Sequence, residues 1–173
     1  MKQLILGGAR SGKSRLAEQL ASRRDTPVTY VATAEPLDDE MRERIAHHQR
    51  QRPRDWLTIE EPLALSTLIE DRGNAERLLL IDCLTLWLSN VLHRHADPEA
   101  SLNAFLHSVR HSPARLIMVS NETGLGIVPA DRLSRRFINL AGRLHQQLAS
   151  ECDSVLFCVA GLTLTLKGKP PDA

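Results

Sequence analysis

The octapeptide Gly7-Gly8-Ala9-Arg10-Ser11-Gly12-Lys13-Ser14 fits G-x-x-x-x-G-K-[ST], the spacing of a phosphate-binding loop. Its glycines let the backbone curl so that N–H groups point inward at phosphate oxygens. A helix starting at Lys13 would present its positive end to the same anion. Lys13 would reach the β- and γ-phosphates, and the Ser14 hydroxyl would hold Mg²⁺. Two acids stand where they could join that chemistry. Asp82 follows the apolar run Leu78-Leu79-Leu80-Ile81, where a phosphate-loop protein needs a carboxylate for Mg²⁺ or its water shell; the same residue could instead cap the next helix. Glu122 follows another apolar run. It either orients or deprotonates an attacking hydroxyl, or is a solvated loop acid. Asn121 beside it could fix a substrate or simply serve the turn.

His47 and His48 are adjacent and do not share a helix face, which makes them a poor metal pair. Met41, Ile45 and His48 fall at i, i+4 and i+7, so His48 points with the apolar residues toward the body of the protein. His47 is turned about a hundred degrees away. By phase alone, His48 is either a structural histidine or a catalytic one.

The elements that must position these residues alternate. Residues 2–6 form a strand, and 13–24 a helix with Leu16, Ala17, Leu20 and Ala21 as its buried stripe. Strands are expected over 28–32, 56–60, 77–82, 115–119 and 154–160, with a further edge strand over 162–167. Helices are expected over 38–52, 62–71, 84–92, 99–110 and 130–150. Continuous apolar strands such as 77–82 suit a parallel sheet covered on both faces. The architecture is α/β: a doubly wound, mainly parallel sheet of the phosphate-loop NTPase type, one nucleotide-binding domain over 1–167 with a disordered tail at 168–173. Ligands in such folds sit beyond the carboxyl ends of the strands. Those ends carry the loop 7–14, Ala32, Thr33 and Ala34, Asp82, and Asn121-Glu122, which form one expected site.

Composition narrows the class. The 173 residues carry a net charge of +1, which gives no support to nucleic-acid binding or a membrane surface role. The local cluster Arg50, Arg52 and Arg54 is explained equally well by a solvated helix end. Aromatics are few, so the core should rest on Leu, Ile, Val and Ala. The three cysteines, Cys83, Cys152 and Cys158, form no C-x-x-C pair and suit reduced thiols in a cytoplasmic protein. The chain leads straight into a strand and the phosphate loop, so no signal peptide is expected, and no apolar run is long enough for a bilayer.

With the phosphate loop, Leu37-Asp38-Asp39-Glu40-Met41, Arg44-Ile45-Ala46-His47-His48 and Val119-Ser120-Asn121-Glu122-Thr123-Gly124-Leu125-Gly126-Ile127-Val128-Pro129 in view, the chain resembles the bifunctional adenosylcobinamide kinase/adenosylcobinamide-phosphate guanylyltransferase family of cobalamin assembly. The resemblance covers residues 4–167. It implies phosphorylation of adenosylcobinamide, a corrinoid, by ATP or GTP. It then implies GMP transfer from GTP onto that phosphate, through the second histidine of the pair, His48. It places the guanine nucleotide on the loop 7–14, Ala32, Thr33, Ala34, Gln49, Arg50, Gln51, Arg52, Glu60 and Asp82. It also implies that a homotrimer can form. Two positions depart from the pattern. Asp82 stands where Glu is often found, and Thr163 stands where proline is common, a difference expected to touch the edge of the fold rather than the chemistry.

Three other classes remain to be weighed. A regulatory GTPase usually reads guanine with Asn-Lys-x-Asp, which is absent here. A small-molecule kinase without nucleotidyl transfer would leave His48 structural. A non-catalytic module would have no use for Lys13, Ser14 and Asp82 together.

Overall fold

The computed structural model describes residues 1–23, 25–36, 38–51, 53, 55–94 and 97–170, and leaves aside the side chains at 40, 41, 44, 47, 48 and 51. In chain order the elements are β1 (Lys2–Gly7), α1 (Lys13–Ser22), β2 (Val28–Ala32), α2 (Asp39–Gln51), β3 (Leu57–Glu60), α3 (Leu65–Arg72), β4 (Leu78–Asp82), α4 (Leu84–Arg94), α5 (Pro98–His111), β5 (Arg115–Asn121), α6 (Arg132–Glu151), β6 (Ser154–Val159) and β7 (Leu162–Lys167).

The strands form a seven-stranded sheet in the order β3-β2-β4-β5-β1-β6-β7. Six run parallel, and β7 returns antiparallel against β6. The central strands are apolar on both faces because both faces are covered. Alternate residues serve opposite layers. Leu4, Leu79, Ile81, Leu116 and Met118 pack with Leu65, Trp87, Phe105 and Leu144 of α3, α4, α5 and α6. Ile5, Tyr30, Leu78, Leu80 and Ile117 pack with Ala17, Leu20 and Ala21 of α1. Aliphatic side chains dominate the core as expected, but Trp87, Tyr30 and Phe105 are its largest fully buried members. Removing one such buried leucine to Ala would cost about 2–5 kcal/mol.

Helix starts differ in how their free N–H groups are met. α5 and α6 begin with Asp97 and Asp131, whose carboxylates accept N–H bonds from Ala100 and Ser134. α1 has no side-chain cap and no acid in its first turn; Gly12 precedes it with φ 98°.

One strand is longer than its sequence suggests. The apolar run ends at Val119, yet β5 continues through Ser120 and Asn121. Gly7 pairs with Asn121, and the Glu122 N–H donates to the Gly7 carbonyl at 3.0 Å. Of the expected tail, 168–170 are described and 171–173 lie outside the described residues.

Candidate active site

The order β2-β4-β5-β1 sets four carboxyl ends side by side: Ala32, Asp82, Asn121 and Gly7. The expected constellation is therefore brought together along one edge of the sheet. At β1, Arg10 and Gly12 adopt left-handed φ angles of 54° and 98° and curl the loop. The Lys13 ammonium folds back onto the Gly8 carbonyl at 2.9 Å, and its side chain is buried. The Ser11 hydroxyl is buried without a hydrogen-bond partner among the described residues. Gly7 is required by close approach, since a Cβ there would lie 2.5 Å from the Cys158 carbonyl and 2.6 Å from Ser11 Oγ. Ala9 is exposed and Ser14 half-buried at the start of α1.

Asp82 is anchored from the side. The Tyr30 hydroxyl donates to its Oδ2 at 2.9 Å. Thr33 joins the next residue twice: its hydroxyl donates to the Cys83 carbonyl at 2.7 Å and accepts the Cys83 N–H at 2.8 Å. Asn90 Nδ2 donates to the Thr33 carbonyl at 3.0 Å, which fixes the 32–34 turn. Burial, with the Asp82 charge beside it, pushes the Cys83 thiol up to about 11, so it stays protonated and is no nucleophile. Among the described residues no group of three or more His, Cys, Asp and Glu could form a dedicated metal cage. A hydroxyl and a carboxylate at a phosphate loop are nevertheless the donor set Mg²⁺ takes, since it keeps waters and binds through one or two carboxylates plus substrate phosphates.

Glu122 leaves β5 with Oε1 accepting the Gly124 N–H at 2.6 Å. Its Oε2 faces His145 Nδ1 at 3.5 Å. His145, on α6, is only 6% exposed. No motif in the sequence marks it, although a signal exists: it follows Leu144 and precedes Leu148 on the buried stripe of that helix. Beyond Glu122, a cleft of about 310 Å³ opens between α4 and α6, lined by Ser89, Leu92, His93, Thr123, Leu133, Ser134, Phe137 and Ile138. The loop beside it holds Leu125, Ile127 and Val128 in the open, at 80%, 97% and 75% exposure.

The remaining expected residues stand farther out. Glu60 ends β3 at the sheet edge, paired with Ala32 and exposed. Gln49 and Arg50 are exposed on α2; the side chains of His47, His48 and Gln51, and all of Arg52, lie outside the described residues. Ile45, which shares the expected face with His48, is half-buried. The β6–β7 turn lies against the phosphate loop. The Gly161 N–H donates to the Ser11 carbonyl at 3.1 Å, and a Cβ on Gly12 would lie 3.5 Å from Gly161 Cα. Thr163 itself is exposed on the edge strand β7, at the rim of the fold as expected, while the turn before it borders the phosphate loop because β6 lies next to β1.

A parallel sheet whose first strand feeds a phosphate loop defines a P-loop NTPase fold, and solved structures bear this out. A RadB recombinase matches with TM-score 0.51 and 16% identity, covering 90% of this chain and 73% of its own. The ATPase EscN of the enteropathogenic Escherichia coli type III secretion system matches with TM-score 0.56 and 12% identity, covering 92% and 43%. The chain belongs to the cobinamide kinase/cobinamide phosphate guanyltransferase family, whose model matches residues 3–166. It is similar to the bifunctional adenosylcobalamin biosynthesis protein CobP of Pseudomonas aeruginosa, with 53% identity over 98% of this chain and 99% of the relative. It is also similar to CobU of Escherichia coli, with 40% identity over 96% and 100%. It is thus a bifunctional enzyme of cobalamin biosynthesis. No helix among the described residues is long and apolar enough to cross a membrane.

Proposed function

We propose that residues 1–167 act as one cytoplasmic nucleotide-binding unit performing two successive transfers at the strand-end site. In the first, ATP or GTP phosphorylates the hydroxyl of the aminopropanol arm of adenosylcobinamide. Glu122 takes the hydroxyl proton as oxygen attacks the γ-phosphorus and the bond to the leaving diphosphate breaks. In the second, neutral His48 attacks the α-phosphorus of GTP. A P–N bond forms and pyrophosphate leaves; the corrinoid phosphate then attacks the same phosphorus, the P–N bond breaks and His48 is regenerated. Lys13 and the first N–H groups of α1 offset phosphate charge in both steps. Ser14 and Asp82 would hold Mg²⁺, which neutralises phosphate oxygens when bound. Gln49, Arg50, Gln51, Arg52 and Glu60 take the guanosine end.

The observation that carries this reading is the uncapped start of α1, curled behind Gly12 and flanked by the strand ends bearing Asp82 and Glu122. The cleft at Thr123 supports entry of the corrinoid from that side, because it joins apolar walls to the residue next to Glu122. Self-association as a homotrimer is supported by Leu162, Leu164 and Leu166, exposed in alternate positions along the edge strand β7.

The test uses α-labelled GTP with Mg²⁺. Label should survive alkaline denaturation and be lost in mild acid, as a phosphoramidate behaves. His48→Ala should abolish it and His47→Ala should not. Label mapped to His47 or to a lysine, or no adduct on active enzyme, refutes the assignment.

A further inference from the structure

Glu122 is backed by a line of polar side chains that the transfers described above do not use. The Asn121 N–H donates to Thr85 Oγ1 at 2.6 Å. Thr85 Oγ1 lies 3.3 Å from Ser120 Oγ, and Ser120 Oγ lies 2.8 Å from His145 Nε2. On the other side of the ring, Nδ1 lies 3.5 Å from Glu122 Oε2. Three elements, α4, β5 and α6, each contribute a member to this line. Ser120 and His145 are 2% and 6% exposed, at positions where apolar residues would pack without needing partners.

The direction of the line follows from its ends. A backbone N–H only donates, so Thr85 Oγ1 accepts and has its own proton to offer Ser120. Ser120 can then donate to Nε2, which leaves the single proton of a neutral imidazole on Nδ1. The opposite tautomer would turn a lone pair toward a carboxylate inside the protein. Burial holds His145 below its ordinary range, and the Glu122 carboxylate opposes this more weakly, so the ring is neutral at neutral pH. Nδ1 is buried and makes no formed hydrogen bond among the described residues. At 3.5 Å its contact with Oε2 is electrostatic, of the loose kind that tightens when substrate binds.

We propose that His145 is the positioning residue of the kinase step: its Nδ1–H, set by the Ser120–Thr85 line, holds the Glu122 carboxylate in place to receive the substrate hydroxyl proton. The Gly124 N–H holds one oxygen and His145 faces the other, which limits rotation of the carboxylate. The reaction balance is unchanged, because His145 holds its proton throughout. The proposal rests on Glu122 being the base.

The two amide residues separate this role from packing. Asn at 145 places an N–H where Nδ1–H stands and does not reach Ser120. Gln reaches Ser120 but has no donor at the δ position. His145→Asn should therefore keep the kcat of cobinamide phosphorylation within about threefold. His145→Gln and His145→Leu should lose about 30-fold or more, part of the hundredfold or larger share a general base supplies, with KM values for cobinamide and nucleotide little changed. Thermal midpoints report folding. Should the Asn variant fail to fold, Ser120→Ala gives the second reading: it frees the ring to take the other tautomer and should also lower kcat with KM unchanged. Equal kcat in the Asn and Gln variants, or an effect confined to KM, overturns the proposal. Glu122→Gln serves as the reference. If it retains phosphorylation, the reading of Glu122 as base falls and this inference with it. If it is inactive while His145→Gln is fully active, only the positioning role falls.

Discussion

Tyr30→Phe deletes one oxygen from a side chain that is 2% exposed and leaves its ring in the core. That oxygen donates to Asp82 Oδ2 at 2.9 Å. A hydrogen bond to a charged group contributes about 1.5–3 kcal/mol when fully buried. Asp82 is half-buried rather than fully buried, so water can replace part of the lost donor, and about 1 kcal/mol is the appropriate expectation. For a chain of this length that lowers the melting temperature by about 2–4 °C. The functional effect has a different origin. Without Tyr30 the carboxylate can leave the rotamer in which it would meet Mg²⁺, and groups that orient a metal's ligands typically matter by about 10- to 100-fold. Because the stabilising energy here is near 1 kcal/mol, the low end applies: about five- to tenfold more Mg²⁺ for half-maximal activity. The assay is a Mg²⁺ titration of both cobinamide phosphorylation and guanylyl transfer, with Asp82→Asn alongside. Both curves should move together, since the proposed scheme runs both transfers through the same phosphate loop. A Tyr30→Phe enzyme with the wild-type Mg²⁺ curve, measured where Asp82→Asn is displaced, would refute the reasoning.

Phe137 lines the cleft beside Thr123, and Phe137→Asp should raise the KM for cobinamide about tenfold by charging an apolar wall; steady-state phosphorylation kinetics with an unchanged KM would remove the cleft from the substrate's path. Acidification should destabilise the fold through His145. Its folded pKa lies below the value near 6.5 of the unfolded chain, so between the two the unfolded state carries the extra proton. The stabilisation is complete above pH 6.5 and is lost as pH falls through the folded value, with a slope of at most about 1.4 kcal/mol per pH unit. Denaturant titrations from pH 7.5 to 5 should show this slope and should show it flattened in His145→Asn; identical slopes would mean that another group controls it.

Local and non-local determinants separate clearly in this chain. The phosphate loop is legible because backbone curl, lysine and hydroxyl must lie within eight consecutive residues, and the strands because burial on both faces needs unbroken apolar runs such as Leu78 to Ile81. The end of β5 is not legible in the sequence because Ser120 reads as the start of a loop. Its hydroxyl is satisfied inside a strand by His145, 25 residues later, and by Thr85, 35 residues earlier. His145 itself carried a readable sign, a titratable ring on the apolar stripe of α6, but nothing local says that Glu122 would face it. The closeness of the Gly161 turn to Ser11 is less legible still. It depends on β6 pairing with β1 across more than a hundred residues, which is a property of strand order rather than of any motif. The same reasoning explains why helical phase gives His48 a direction but not a role. A face can be counted along one helix, whereas a nucleophile is defined by the phosphorus it would meet, which no count along α2 supplies.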